Sequence, residues 1–119
     1  MRAFLCDDVT DLRFLFREIL EERGVEIVGE AANGQDGVAG VTELRPDVIL
    51  LDLAMPIMDG LQAIPLIRAA SPETKIIVLS GFGDGPAAQS AHALGIDRFV
   101  DKSSSLDEIA EAVFEVVRA

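Results

Sequence analysis

Apolar residues along this chain come in two alternating rhythms. Ala3 to Cys6, Val25 to Val28, the segment 47–52, Ile76 to Leu79 and Arg98 to Val100 are short runs closed by charged or turn-forming residues. Runs of that length and ending predict buried strands. Between them the spacing widens to that of a helix. Leu12, Leu15, Phe16, Ile19 and Leu20 share one helical face, with Thr10 as the expected N-cap and Gly24 as the stop. Val38, Val41 and Leu44 predict a helix over 34–44, against the weakening effect of Gly37 and Gly40. A further helix runs from about Leu61 to Ala70, where Pro65 predicts a kink or a late start. Gly81, Gly83 and Gly85 make a loose loop before a short Ala-rich helix ending near Gly95. Ser105 and Glu108 form a capping box that opens a last helix through Leu106, Ile109, Val113 and Val116. Five strand–helix units with short connections predict one parallel sheet with helices on both faces.

That order places the polar ends of the strands. In open parallel sheets, functional side chains gather beyond the carboxyl ends of the strands. Here those ends carry Asp7-Asp8, Asp52, Ser80 and Lys102. Asp52 closes the most apolar run of the chain, in PDVILLDLAMPIMDG, residues 46–60. Its charge is therefore expected at the rim of the sheet, among other polar groups.

Composition removes several classes of function. The 119 residues suffice for one domain, and half of them are hydrophobic, enough for a full core. No apolar run reaches the length of a membrane span, and the start does not resemble a signal peptide. Cys6 is alone, so an internal disulfide is excluded, which fits a reducing, cytoplasmic setting. The net charge of −11, with bases that form no cluster, predicts that this chain does not bind nucleic acid directly.

The set Asp7-Asp8, Asp52, Ser80 and Lys102, in this order at strand ends, resembles the phosphorylation site of the response-regulator receiver (CheY-like) family. LLDLAMPIMDG is similar to that family's stretch around its phosphorylated aspartate. The resemblance covers nearly the whole chain, 1–119, and implies a flavodoxin-like, doubly wound α/β fold: a five-stranded parallel sheet in the order 2-1-3-4-5 with five helices. It implies Asp52 as phospho-acceptor, assisted by Ser80 and Lys102, and Phe99 as the aromatic switch residue. The implied cofactor is Mg²⁺, touched by Asp8, Asp52 and the backbone carbonyl of Ala54, with Asp7 acting through water. Three neighbouring carboxylates suit a hard divalent cation, which eases their mutual repulsion. Implied partners are a histidine kinase or phosphotransfer protein upstream, an output domain or target protein downstream, and a phosphorylation-dependent homodimer.

EIVGEAANGQDGV and LRPDVILLDLAMPIMDGLQAI resemble receivers joined to helix-turn-helix domains, so transcription regulation is the expected output. A free-standing receiver acting only by protein–protein binding is the alternative. Ser103 stands where many relatives have proline, so the cis bond common there is not assumed after Lys102. The resemblance also places Ala54 and Phe82 beside the path of an attacking water; neither can orient one, so slow loss of the phosphoryl group is expected. The loop 81–86 is expected to be mobile before activation.

Other chemistries fit less well. An aspartyl-phosphate phosphatase needs a second acid two residues after its nucleophile, where this chain has Ala54. A flavin site needs a Ser/Thr/Gly-rich phosphate loop and flanking aromatics, but the first loop reads Asp-Asp-Val-Thr-Asp and the chain has no Trp or Tyr. Asp59 reads as a turn former, Cys6 as a small core residue, His92 as a solvated or half-buried side chain, and the acids of the last helix as a wet face.

Overall fold

The computed structural model describes residues 1–81 and 85–119. Strands and helices alternate: β1 (Arg2–Cys6), α1 (Thr10–Glu22), β2 (Glu26–Ala31), α2 (Gly34–Leu44), β3 (Val48–Asp52), α3 (Gly60–Ala70), β4 (Lys75–Ser80), α4 (Pro86–Ala93), β5 (Arg98–Asp101) and α5 (Leu106–Arg118). The strands form one parallel sheet in the order β2-β1-β3-β4-β5, as the sequence reading expects.

Alternation along the strands divides the core in two. Ala3, Leu5, Val48, Leu50, Ile77 and Leu79 pack under α1 and α5, where Phe16, Leu20, Ile109 and Val113 meet them. Phe4, Cys6, Ile49, Leu51, Ile76 and Val78 face the other way, toward Val41 of α2, Ile64 and Ile67 of α3 and Ala91 of α4. All five residues of β3 are buried, so the central strand carries no polar side chain until Asp52.

Four local expectations change. Thr10 is not the N-cap of α1: it is the first helical residue, and Val9 occupies the cap without a side-chain bond. The acceptor at that end is Asp7, whose Oδ1 takes the Val9 N–H at 2.9 Å. The second strand begins one residue later and ends three residues later than Val25 to Val28 suggested, because Gly29 continues it. A Cβ there would meet the Phe4 ring at 2.7 Å, and the register between β1 and β2 shifts beside it. Helix α3 starts early rather than late and runs through Pro65, which lies exposed where the unpaired carbonyl can face water. Asp59 does more than form a turn, since it makes a capping box with Gln62 at the start of α3.

The glycines of α2 also gain a reason. A Cβ at Gly37 would lie 2.7 Å from Cys6 Sγ, and one at Gly40 2.5 Å from the Phe4 ring. They give up helix propensity so that α2 can lie against β1. The capping box at Ser105 and Glu108 is present, and among the described residues no peptide bond is cis, Lys102-Ser103 included. Phe82 and the middle of the glycine loop lie outside the described residues. Among the described residues, no helix is long and apolar enough to cross a membrane.

Candidate functional site at the carboxyl rim of the sheet

The adjacent central strands β1 and β3 end side by side, and their ends bring carboxylates together. Asp7 follows Cys6, whose register partner is Leu51, so Asp7 and Asp52 share one corner of the rim. Oxygens of Asp7, Asp8 and Asp52 lie within 4.8 Å of one another. Asp7 and Asp52 are buried, at 3% and 4% exposure, while Asp8 faces solvent.

The cation comes from β5, at the edge of the sheet. Its backbone continues the pairing with β4 one residue beyond the strand, where the Lys102 N–H donates to Ser80 O at 3.0 Å. That bond fixes where the lysine leaves the sheet. Its side chain reaches inward, and Nζ lies 2.9 Å from Asp7 Oδ2 and 3.2 Å from Asp52 Oδ2. The other Asp52 oxygen accepts from the Ala54 N–H at 3.4 Å. Ser80 is buried at the end of β4. Phe99, in β5, is half-buried against the α2–α3–α4 core, 6.2 Å from the exposed His92 ring.

The electrostatics of this corner are unresolved within the chain. Burial, and then the Asp7 carboxylate, push the Asp52 carboxyl above its ordinary value against the pull of Lys102. Burial alone would lower Lys102, but the two carboxylates outweigh it and hold the ammonium above its ordinary value. Asp7 Oδ2 is buried and, among the described residues, is met only by the Lys102 ammonium. Cys6, beneath the pocket, donates its thiol to Asn33 O at 3.3 Å. Burial, followed by the charges of Asp7 and Asp52, pushes its pKa to about 12, so it remains an inert thiol.

A divalent cation fits this donor set. The oxygens are hard, three carboxylates converge, and one buried oxygen is met, among the described residues, by Lys102 alone. The Ala54 carbonyl, in the loop after β3, accepts no hydrogen bond among the described residues.

Asp7, Asp8, Asp52 and Lys102 are therefore gathered where the sequence placed them, with Ser80 next to Lys102 through the backbone. Phe99 stands apart, on the α4 side of β5. Sequence reading missed three side chains that shape the site. Asn33 caps α2 by accepting from the Asp36 N–H at 2.8 Å, and the Asn-x-x-Asp pattern could have signalled it. Arg13 and Glu30 pair across α1 and β2 at 3.0 Å, a contact with no local signature.

A doubly wound parallel sheet with an acidic corner and an inward lysine defines a signal-receiver module. The chain belongs to the response regulator receiver domain family, whose profile matches residues 3–114. It is 34% identical over 115 residues to the chemotaxis protein CheY of Thermotoga maritima, covering 97% of this chain and 96% of that protein. It is 37% identical over 119 residues to the response regulator protein VraR of Staphylococcus aureus, covering 99% of this chain and 57% of VraR. Among solved structures, a LuxR-family DNA-binding response regulator from Staphylococcus aureus matches with a TM-score of 0.91 at 27% identity, covering 98% of both chains. The chain is thus a receiver domain of a two-component response regulator, a signalling module.

Proposed function

We propose that this receiver takes a phosphoryl group onto Asp52 from the phosphohistidine of a kinase or phosphotransfer protein, and that the modification switches its α4–β5–α5 face. An Asp52 carboxylate oxygen forms the new O–P bond as the P–N bond to the donor imidazole breaks. Asp8, Asp52 and the Ala54 carbonyl would hold Mg²⁺ directly and Asp7 through water; when bound, the ion neutralises charge on the incoming phosphoryl group. Phosphoryl transfer depends mainly on such positioning and neutralisation. Lys102 already faces the acceptor and would pair with a phosphoryl oxygen. Ser80 would donate its hydroxyl to another, drawing in the loop after β4, and Phe99 would move into the space vacated. One observation carries the reading: two buried carboxylates share a single lysine, and among the described residues that lysine is all that meets Asp7 Oδ2.

The output is transcription regulation in a cytoplasmic regulator, in which the receiver controls a partner or output domain and dimerises when phosphorylated. The LuxR-family DNA-binding response regulator from Staphylococcus aureus supports that reading. A free-standing receiver acting by protein binding alone is the alternative, and the 34% identity to CheY of Thermotoga maritima supports it. Loss of the phosphoryl group is slow, because Ala54 offers no group to orient a water.

The test uses acetyl phosphate and Mg²⁺ followed by intact-mass measurement. Wild type should gain one phosphoryl group and Asp52→Asn none. Equal labelling of both defeats the assignment.

A further inference from the structure

Arg13 has no part in the chemistry above, yet it is built into the acidic corner. Its side chain is only 16% exposed. One guanidinium nitrogen, Nη1, donates to the backbone carbonyl of Asp7 at 2.5 Å. Another, Nε, donates to Glu30 Oε1 at 3.0 Å. The second Glu30 oxygen is held in turn by Arg17, from Nε at 2.8 Å and Nη2 at 2.5 Å. Glu30 therefore sits on β2 as a brace between two arginines of α1, and the arrangement leaves Arg13 little freedom.

What Arg13 grips matters. Asp7 lies one residue beyond β1; its N–H still pairs with Ala31 O at 3.0 Å, but its carbonyl has run past the strand. That carbonyl belongs to the peptide linking Asp7 to Asp8. Turning this peptide would swing the Asp8 carboxylate, which is exposed and makes no hydrogen bond or ion pair with the described residues. The Asp7 side chain is anchored separately, through Oδ1 to the Val9 N–H. Of the three carboxylates, Asp8 is the one whose direction rests on backbone alone, and Arg13 holds that backbone.

We propose that Arg13 is a positioning residue: by clamping the Asp7 carbonyl, braced by Glu30, it aims Asp8 into the pocket and so sets its affinity for a divalent cation. The inference rests on reading the corner as a cation-assisted phospho-acceptor site. Its sign separates it from a plain charge effect. Arg13 is a cation beside a cation site, so by Coulomb's law alone its removal should tighten Mg²⁺ binding. Loss of aim should weaken it.

The experiment measures Mg²⁺ affinity of the unphosphorylated protein by calorimetry, in wild type, Arg13→Gln, Arg13→Lys and Glu30→Gln. Acetyl phosphate labelling rates are followed alongside as Mg²⁺ is varied. Arg13→Gln should raise the Mg²⁺ dissociation constant about tenfold, equivalent to about 1.4 kcal/mol. The half-saturating Mg²⁺ for labelling should move more than the plateau rate. Arg13→Lys should recover part of the loss, because one ammonium can still reach the Asp7 carbonyl. Glu30→Gln, which leaves the arginine in place, should shift the constant in the same direction by less. Unchanged or tighter Mg²⁺ binding in Arg13→Gln overturns the inference while leaving the phospho-acceptor reading intact. A wild type that binds no Mg²⁺ overturns both.

Discussion

Strand β3 carries an aspartate at each end, and the two are treated in opposite ways. Asp47, just ahead of the strand, has its needs met by the backbone. Its Oδ2 accepts from the Arg2 N–H at 2.7 Å, its own N–H donates to Arg2 O at 2.8 Å, and its carbonyl accepts from the Lys75 N–H at 2.9 Å. Beside it, Thr74 Oγ1 donates to Pro46 O at 2.7 Å and lies 2.7 Å from Ser71 Oγ. Asp52, at the other end, is packed against a second carboxylate with one lysine between them. A depression of about 380 Å³ lies at the satisfied end, lined by Arg45, Pro46, Asp47, Ser71, Pro72 and Glu73. The hollow and the chemistry are thus at opposite rims. A site is recognised here by polar groups left wanting, because those are the groups a ligand can satisfy.

The largest effect expected from this contrast is on the response to Mg²⁺. A ligand that binds only the folded state stabilises it by mass action, by about 2.7 kcal/mol at a hundred times its dissociation constant. Thermal denaturation with and without Mg²⁺ should show that gain in wild type and in Asp47→Asn. Asp8→Ala should lose it. An equal rise in melting temperature in Asp8→Ala would place the ion elsewhere.

The two rims also differ in how much the sequence could reveal. Strand ends, element order and the residues Asp7, Asp8, Asp52, Ser80 and Lys102 were legible, because period-two and period-3.6 patterns fix where a buried chain surfaces. Contacts that depend on close approach were not. Gly37 and Gly40 read as defects in a helix until Cys6 and Phe4 were seen against them. Gly29 read as the end of β2, though it is where Phe4 fits. The grip of Arg13 on the Asp7 carbonyl leaves no mark on either residue type, since backbone acceptors have no sequence signature. Asp59 illustrates a third case: its pattern with Gln62 was present, but Asp-Gly is also the commonest of turn signals.

Next in size is a difference of sign. Losing the Asp47 carboxylate should cost about 1 to 2 kcal/mol, because the Arg2 N–H loses its acceptor. Losing the Asp52 charge should instead stabilise the protein in Mg²⁺-free buffer, on the order of 1 kcal/mol or about 4 °C. The pH dependence follows from the raised Asp52 pKa. The folded state holds this proton more tightly than the unfolded chain, so ionised Asp52 destabilises. Its penalty is complete above the raised folded pKa and fades as pH falls toward the ordinary carboxylate value of about 3.9. Urea denaturation of Asp52→Asn and wild type at neutral pH and near pH 4 should show the gap closing in acid. A variant less stable than wild type at neutral pH would mean that the corner is not repulsive.

The smallest effect concerns backbone strain, and both rims offer a residue to test it. Among the described residues, Arg45 and Ile57 are the non-glycine positions with positive φ, at 45° and 70°. Arg45 closes α2 in the left-handed conformation common at helix ends, and its N–H still reaches Val41 O at 2.8 Å. Ile57 is less comfortable. The Met58 N–H donates to Pro56 O at 2.7 Å across it, making a γ-turn with positive φ at a β-branched residue. The turn gains nothing from burying the side chain, which is 76% exposed. It is held from both sides: the Gly34 N–H donates to Met58 O at 2.8 Å, and the Gly60 N–H donates to Leu53 O at 2.9 Å. Strain of this kind costs about 1 to 3 kcal/mol. Replacing Ile57 by glycine removes it but returns about 0.4 to 1 kcal/mol in unfolded-chain entropy. Ile57→Gly should therefore stabilise by about 1 kcal/mol, and Arg45→Gly by less, since an unbranched side chain tolerates its conformation better. Chemical denaturation midpoints of the two variants decide the matter. If Arg45→Gly gains as much as Ile57→Gly, the strain is ordinary loop geometry shared by both rims; if Ile57→Gly alone gains, the loop after Asp52 is held under tension by its anchors.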